Sequence, residues 1–233
     1  MRIALLFMRD NFVGREYFAA LHRHGIVPAL VASVGVFTED QIARERVRTG
    51  GLWTPAPIPP EAMRAHFPGM KSPELWQLLR DEGIDVVLQG GIGIIKPEHL
   101  SVPRVGFLNI HPGRLPAYRG NACPEWQVFD GQPVFVTAHL IDAGIDTGPV
   151  ILEREYPAGD AASYEAFRAG LYRHCAEAMV EALRALEASP DPRAAARPQN
   201  ESGACYRPAM PEDIAARVRA AFPGWRPGRS LAG

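Results

Sequence analysis

Apolar positions along this chain follow two alternating rhythms. Ile3–Met8 and Ile26–Ala32 are short, nearly unbroken apolar runs, and between them Tyr17, Phe18 and Leu21 recur at three- to four-residue spacing. A continuous apolar run suits a parallel strand covered on both faces, whereas the wider spacing marks one stripe of a helix. The pattern therefore predicts a strand, a helix from about Arg15 to His24 stopped by Gly25, and a second strand. Residues 38–70 carry a weaker pattern: Thr38 heads a polar helix through Arg48, and Gly50–Pro60 reads as loop. Ser72 then heads a helix bearing Leu75, Trp76, Leu78 and Leu79, followed by strands over Asp85–Gln89 and Val105–Ile110. A short helix over 124–130, strands from Pro133 to Asp142 and over Val150–Tyr156, and a helix from Ala161 or Ser163 to Glu187 complete the body. Ser189–Pro198 reads as a Pro-rich linker before a helix over Pro211–Phe222.

Strands alternating with helices imply an α/β layer fold, with a Rossmann-like, mostly parallel sheet and helices on both faces. The division expected is a catalytic domain over 1–188 and a linker with a short C-terminal appendage over 189–233. The chain has 233 residues, 47% of them hydrophobic, with a formal net charge of −1. A chain of this length buries about 70–75% of its unfolded surface. Near-neutral charge leaves no electrostatic footprint for nucleic acid, so none is expected as a partner. The first apolar run is too short to cross a membrane and lacks a small-residue cleavage site. Cys123, Cys175 and Cys205 are far apart and form no ligand-spaced pair, which fits a reducing compartment. Cytoplasm without membrane attachment is the resulting expectation. The oligomeric state is left open, a homodimer included.

The most informative stretch is 105–120. Its strand ends in Asn109-Ile110-His111 and breaks into Pro112-Gly113-Arg114-Leu115-Pro116-Ala117-Tyr118-Arg119-Gly120. Strand residues two apart share a face, so an amide and an imidazole project together where a sheet opens to solvent. Strand-end capping and stabilisation of an electrophile both fit that pair in isolation. Downstream, Asp142-Ala143-Gly144-Ile145-Asp146-Thr147-Gly148-Pro149-Val150-Ile151 brings a carboxylate into a Gly-containing loop. Asp146 also fits an Asx-turn before Gly148. His139 shares a strand face with Phe135, Thr137 and Ile141 by period, as a core histidine would. Tyr118, Arg119, Asn121, Cys123, Glu125 and Trp126 follow the loop, where shaping an acceptor pocket and ordinary loop-to-helix packing are equal readings.

The two motifs, at this spacing and in this order, resemble the folate-dependent formyltransferases. That family includes glycinamide ribonucleotide transformylase, the catalytic half of methionyl-tRNA formyltransferase, and sugar N-formyltransferases. The resemblance is close over about 84–157. It implies a formyltransferase fold and catalytic roles for Asn109, His111 and Asp146. Asn109 and a protonated His111 would stabilise negative charge on the formyl oxygen, and Asp146 would hold His111 charged and accept the amine proton. It further implies that 10-formyltetrahydrofolate is the co-substrate, with no metal. The pterin would rest against Gly93, Ile94 and Ile95 on one side and Ile141, Asp142 and Gly144 on the other, with His139 near it. Gly93 stands where the family can carry a larger side chain.

The acceptor is expected to be a small-molecule amine, most simply an amino sugar, nucleotide-linked or not. A glycinamide ribonucleotide enzyme has a Gly-rich turn after its first strand, but Met8–Glu16 holds one glycine and two acids, which wrap a phosphate poorly. A methionyl-tRNA enzyme implies a further domain and basic surfaces. Three other readings stand beside transfer: formyltetrahydrofolate hydrolysis, a metal-dependent hydrolase using His111, His139 and Asp146, and a non-catalytic folate- or nucleotide-binding module.

Overall fold

A computed structural model describes residues 1–232. The opening unit is β1 (Ile3–Arg9), α1 (Phe12–Arg23) and β2 (Leu30–Val36), followed by α2 (Glu39–Arg48), β3 (Ala65–Phe67) and α3 (Pro73–Asp81). Then come β4 (Val86–Gly90), β5 (Gly106–His111), β6 (Arg119–Gly120), α4 (Cys123–Phe129), β7 (Val134–Leu140) and β8 (Val150–Tyr156). The chain closes with α5 (Tyr164–Ala188), β9 (Tyr206–Arg207) and α6 (Glu212–Ala220). Among the described residues the main sheet has seven strands in the order β3-β2-β1-β4-β5-β7-β8. The first five are parallel, while β7 and β8 are antiparallel. The expected mostly parallel α/β sheet is the fold observed.

Alternation along the strands divides the core into two layers. Leu5, Phe7, Leu88, Leu108 and Ile110 face α1 and the long α5, whose Phe167, Leu171, Met179 and Leu183 are buried with them. Ala4, Leu6, Val87 and Phe107 face the other way, onto Leu75, Trp76 and Leu79 of α3. Gly14 lets α1 lie close on β1, since a Cβ there would stand 2.3 Å from the Phe7 side chain. The lone glycine of the first turn thus serves helix–strand packing.

Several boundaries differ from the pattern-based expectation, each for a local reason. Asn11 caps α1 by accepting from the Val13 N–H at 2.8 Å, so the helix begins at Phe12 rather than Arg15. The chain after α1 spends the N–H groups of Gly25 and Ile26 on carbonyls of the last turn. The second strand therefore starts at Leu30 rather than Ile26 and takes in Ser33 and Gly35. β3 and β9 are too short for an alternation to register. The tail folds back onto the body: Val218, Phe222 and Trp225 are buried in the layer that holds Phe167 and Val128. β9 pairs in parallel with β6, the strand that directly follows the Pro/Gly loop.

Candidate active site

β5 carries Asn109 and His111 in its last three residues, at the carboxyl edge of the parallel strands, where open α/β sheets bind ligands. Its antiparallel partner sets Asn109 opposite His139 and His111 opposite Thr137. The loop after β7 then folds back so that Asp146 reaches the same face. The Asn109 amide donates to His139 Nε2 at 3.1 Å, and His139 Nδ1 donates to the Leu140 carbonyl at 3.0 Å, which assigns one neutral tautomer. His111 Nε2 donates to the Tyr118 carbonyl at 2.6 Å, while Nδ1 faces Asp146 Oδ2 at 3.4 Å. Asp146 Oδ2 also accepts the Gly120 N–H at 2.9 Å, and Oδ1 lies 3.8 Å from His139 Nε2. Sheet register and one returning loop thus bring all three expected catalytic residues, and His139, into one cluster.

Two close contacts shape that cluster. Gly113 has no room for a side chain, because a Cβ would lie 2.6 Å from His111 Nε2 and 2.8 Å from the Tyr118 carbonyl. Thr137 donates to the Gly113 carbonyl at 2.7 Å and accepts the Leu115 N–H at 3.2 Å, fixing the Pro/Gly loop to β7. Asp146 itself adopts φ +56°, a left-handed conformation that Asp visits more readily than most residues.

Burial sets the charge state. His111 and His139 are 5% and 2% exposed. Loss of hydration pushes the His111 imidazole below its ordinary value, against the opposing pull of Asp146 and the Tyr118 carbonyl. His139 is lowered to about 4, by burial first and then by His111, with Asp146 opposing. The direction runs against the charged His111 that the resemblance implies, because desolvation outweighs one neighbouring carboxylate. Burial also pushes the Cys123 thiol up to about 12, leaving it without thiolate character.

The two loops expected to hold the pterin lie side by side on the α3 face. Ile92, Ile95, Ile141 and Phe107 belong to one apolar cluster there. Ile94 is 83% exposed and Ile145 is 58% exposed, so each loop presents an unburied apolar side chain. Gly93 has open space around its Cα, and its carbonyl accepts from Gln89 Nε2 at 3.3 Å. Asp142 accepts from the Gly144 N–H at 3.1 Å and from Thr147 Oγ1 at 2.5 Å, which folds the second loop on itself. Among the described residues no group of three or more His, Cys, Asp and Glu side chains is arranged to hold a metal ion.

The expected acceptor residues divide. Tyr118 donates to Asp130 at 2.9 Å and Trp126 to the Pro208 carbonyl at 3.0 Å, both within a small buried cluster. Arg119 is 1% exposed and is taken up by Gln199 and Glu201. Asn121, next to the Gly120 donor, lines an open cavity of about 850 Å³ with Arg44 and Arg48 of α2 and Tyr164 of α5. Gln199 was not legible in the sequence: it lies in the Pro-rich tail, and no spacing ties it to 146.

The mostly parallel sheet thus brings an amide, two imidazoles and a returning carboxylate together at the carboxyl edge of its strands. The chain belongs to the formyl transferase family, whose model matches residues 1–183. It is 33% identical over 183 residues to a methionyl-tRNA formyltransferase of Thermosynechococcus vestitus, an alignment that covers 75% of this chain and 53% of that protein. A second methionyl-tRNA formyltransferase, from Deinococcus radiodurans, is 38% identical over 134 residues, covering 57% of this chain and 41% of the relative. The chain thus spans about half the length of the curated relatives it matches. The fold is shared with phosphoribosylglycinamide formyltransferase from Streptococcus pneumoniae, at TM-score 0.58 and 24% identity, over 80% of this chain and 99% of that one. It is also shared with the formyltransferase PseJ from Anoxybacillus kamchatkensis, at TM-score 0.55 and 19% identity, over 98% and 97% of the two chains. That structure is a complex with UDP-4,6-dideoxy-4-formamido-L-AltNAc and tetrahydrofolate.

Proposed function

We propose that this chain carries an N-formyltransferase activity that moves a formyl group from 10-formyltetrahydrofolate to the amine of a small metabolite, an amino sugar in free or nucleotide-linked form. The reading rests on one observation above all: in a chain of the formyl transferase family, half-buried Asn109 stands beside the His111–Asp146 pair in one cluster. When bound, 10-formyltetrahydrofolate supplies the formyl carbon and a nitrogen leaving group. The Asn109 N–H not given to His139 is directed at the formyl oxygen, where negative charge develops. His139 orients that amide by accepting its other N–H. Asp146 accepts the proton that the attacking nitrogen must lose, the His111 ring offers Nδ1 to share it at 3.4 Å, and one proton returns to the folate nitrogen as its bond to the formyl carbon breaks. Ile94 and Ile145 cover the flat face of the donor, and their burial on binding favours it.

The acceptor reaches this centre through the cavity beside Asn121, whose lining mixes arginines with Glu125 and Glu165. Such a lining suits a hydroxylated sugar bearing both an amine and an anionic substituent. The sugar-nucleotide complex of a protein sharing the fold lends support. The curated relatives favour a second reading, with methionyl-tRNA as acceptor, against which stands a net charge of −1. A panel of nucleotide-linked amino sugars, glycinamide ribonucleotide and methionyl-tRNA, each incubated with 10-formyltetrahydrofolate and analysed by mass, separates them. A formyl gain on an amino sugar is expected. A gain only on methionyl-tRNA replaces the acceptor half of the proposal. Release of formate with no acceptor modified makes the protein a hydrolase.

A further inference from the structure

Gln199 belongs to no motif, yet its amide is fully engaged beside the cluster. Its Nε2 donates to the carbonyls of Asp146 at 2.9 Å and Gly148 at 2.8 Å. Its Oε1 accepts from Arg119 Nη2 at 2.7 Å and Nε at 3.3 Å. Arg119 is further pinned by Glu201, at 2.9 Å and 2.7 Å. Two residues before Gln199, Arg197 exchanges both backbone hydrogen bonds with Val150 at 2.8 Å, so the tail lies along the chain leaving the Asp146 loop. On the other side, Cys205 and Arg207 accept the N–H groups of Arg119 and Asn121, each at 2.9 Å. The residue between them, Gly120, is the one that donates to the Asp146 carboxylate. One amide thus grips the backbone of Asp146 and, through Arg119, the segment that holds its side chain.

The loop needs such a grip. Asp146 is at φ +56°, a sparsely populated conformation for a non-glycine residue that persists where the surrounding structure holds it. Neighbouring Ile145 is exposed and supplies little packing. A half-buried amide bonded at both ends fixes geometry directionally, because each misplacement strains or breaks one of its four hydrogen bonds.

We propose that Gln199, acting through Arg119, is a positioning residue that fixes the Asp146 carboxylate against His111, so that the C-terminal segment completes the catalytic cluster. The consequence for turnover rests on the formyl-transfer reading; the geometric claim does not. Two variants of the full chain separate this role from packing. Gln199→Met keeps the volume and removes every polar contact. Gln199→Glu keeps an acceptor for Arg119 but cannot donate to the two carbonyls.

In the histidine-labelled protein without ligand, both variants are expected to lower the NMR titration midpoint of His111 and to shift the Gly120 amide. The titratable neighbours of His111 are Asp146, His139 and the Cys123 thiol. Of these, only Asp146 lies on the loop that Gln199 grips, and it is the neighbour that raises the His111 midpoint. Turnover is expected to fall by about 10- to 100-fold, as misplacement of a reacting group by an ångström does, with the donor KM little changed. Glu201→Gln, which removes a largely exposed partner of Arg119, is expected to stay within about twofold of the parent. An unchanged His111 midpoint and Gly120 amide in either folded variant overturns the proposal. So does loss of folding in both variants, which makes Gln199 a stability element. If the parent transfers formyl to no amine, the two NMR readings decide alone.

Discussion

Two polar regions lie one residue apart in this protein and are built in opposite ways. In the cluster of Asn109, His111, His139 and Asp146, protein partners occupy most of the polar atoms and burial disfavours charge on both imidazoles. The cavity that begins at Asn121 is open, lined from α2, α4, α5 and α6, and carries charges of both signs. A closed, mutually satisfied cluster can direct one proton and one hydrogen bond, but it has little room to choose among substrates. The open cavity can choose, and it contributes nothing to bond making. The contrast supports the proposal that chemistry belongs to the first region and acceptor selection to the second, and substitutions can test that division.

The largest effects belong to the cluster. Removal of one oxyanion donor typically costs about 100- to 1000-fold in turnover. Asn109→Ala, which removes the donor aimed at the formyl oxygen, is expected to fall that far in kcat, and His111→Ala, which removes the ring that shares the proton on Asp146, by about 100-fold or more, with donor affinity from equilibrium titration little changed in both. A purely raised acceptor KM in either variant would move that residue into the selecting region. Gly113→Ala is next. Its new methyl meets His111 Nε2 at 2.6 Å and the Cys123 Cβ at 2.8 Å, and overpacking of this kind costs about 1–3 kcal/mol. Chemical denaturation should show that loss together with reduced turnover; a stable variant with full activity would mean the loop adjusts freely.

Protonation gives a comparable change in stability. The folded values of His111 and His139 lie below that of an unfolded imidazole, which is about 6.5, so the unfolded chain takes up protons first. Their contribution is complete above about pH 6.5 and is lost as pH falls towards the folded values, by an amount on the order of 1–3 kcal/mol. Denaturation midpoints measured from pH 7 to 4.5 should fall in the parent and fall less in His139→Gln; parallel curves would contradict the neutral buried rings. The smallest effects belong to the cavity. Asn121→Ala and Arg44→Ala are expected to raise the acceptor KM by about 2- to 10-fold, the scale of one hydrogen bond, with kcat nearly unchanged. A drop in kcat alone would erase the distinction between the regions.

Legibility in the sequence follows the same division. Asn109 and His111 could be placed together because strand alternation puts residues two apart on one face, while their roles, and the part of Asp146, come from the resemblance of the two motifs to the formyltransferases. Both motifs lie within about 40 residues of each other along the chain. The charge on His111 could not be read, since it depends on how far the folded sheet and loop exclude water. Arg119 looked like an acceptor ligand because its partners, Gln199 and Glu201, lie some 80 residues away in a tail with no periodicity. β9 was invisible for the same reason: two residues carry no alternation, and only the neighbouring Arg119–Gly120 pair makes them a strand.

The central claim is that Asp146 receives the amine proton in a cluster built for formyl transfer. Its most direct test is turnover of Asp146→Asn with saturating 10-formyltetrahydrofolate and the acceptor identified by the panel, followed as tetrahydrofolate release. An amide in that place keeps the size and the Gly120 contact but cannot accept the proton. The account predicts turnover at least about 100-fold below the parent, with donor affinity preserved. Near-parental turnover in the folded variant would contradict it and pass the proton to His111, the acceptor or solvent.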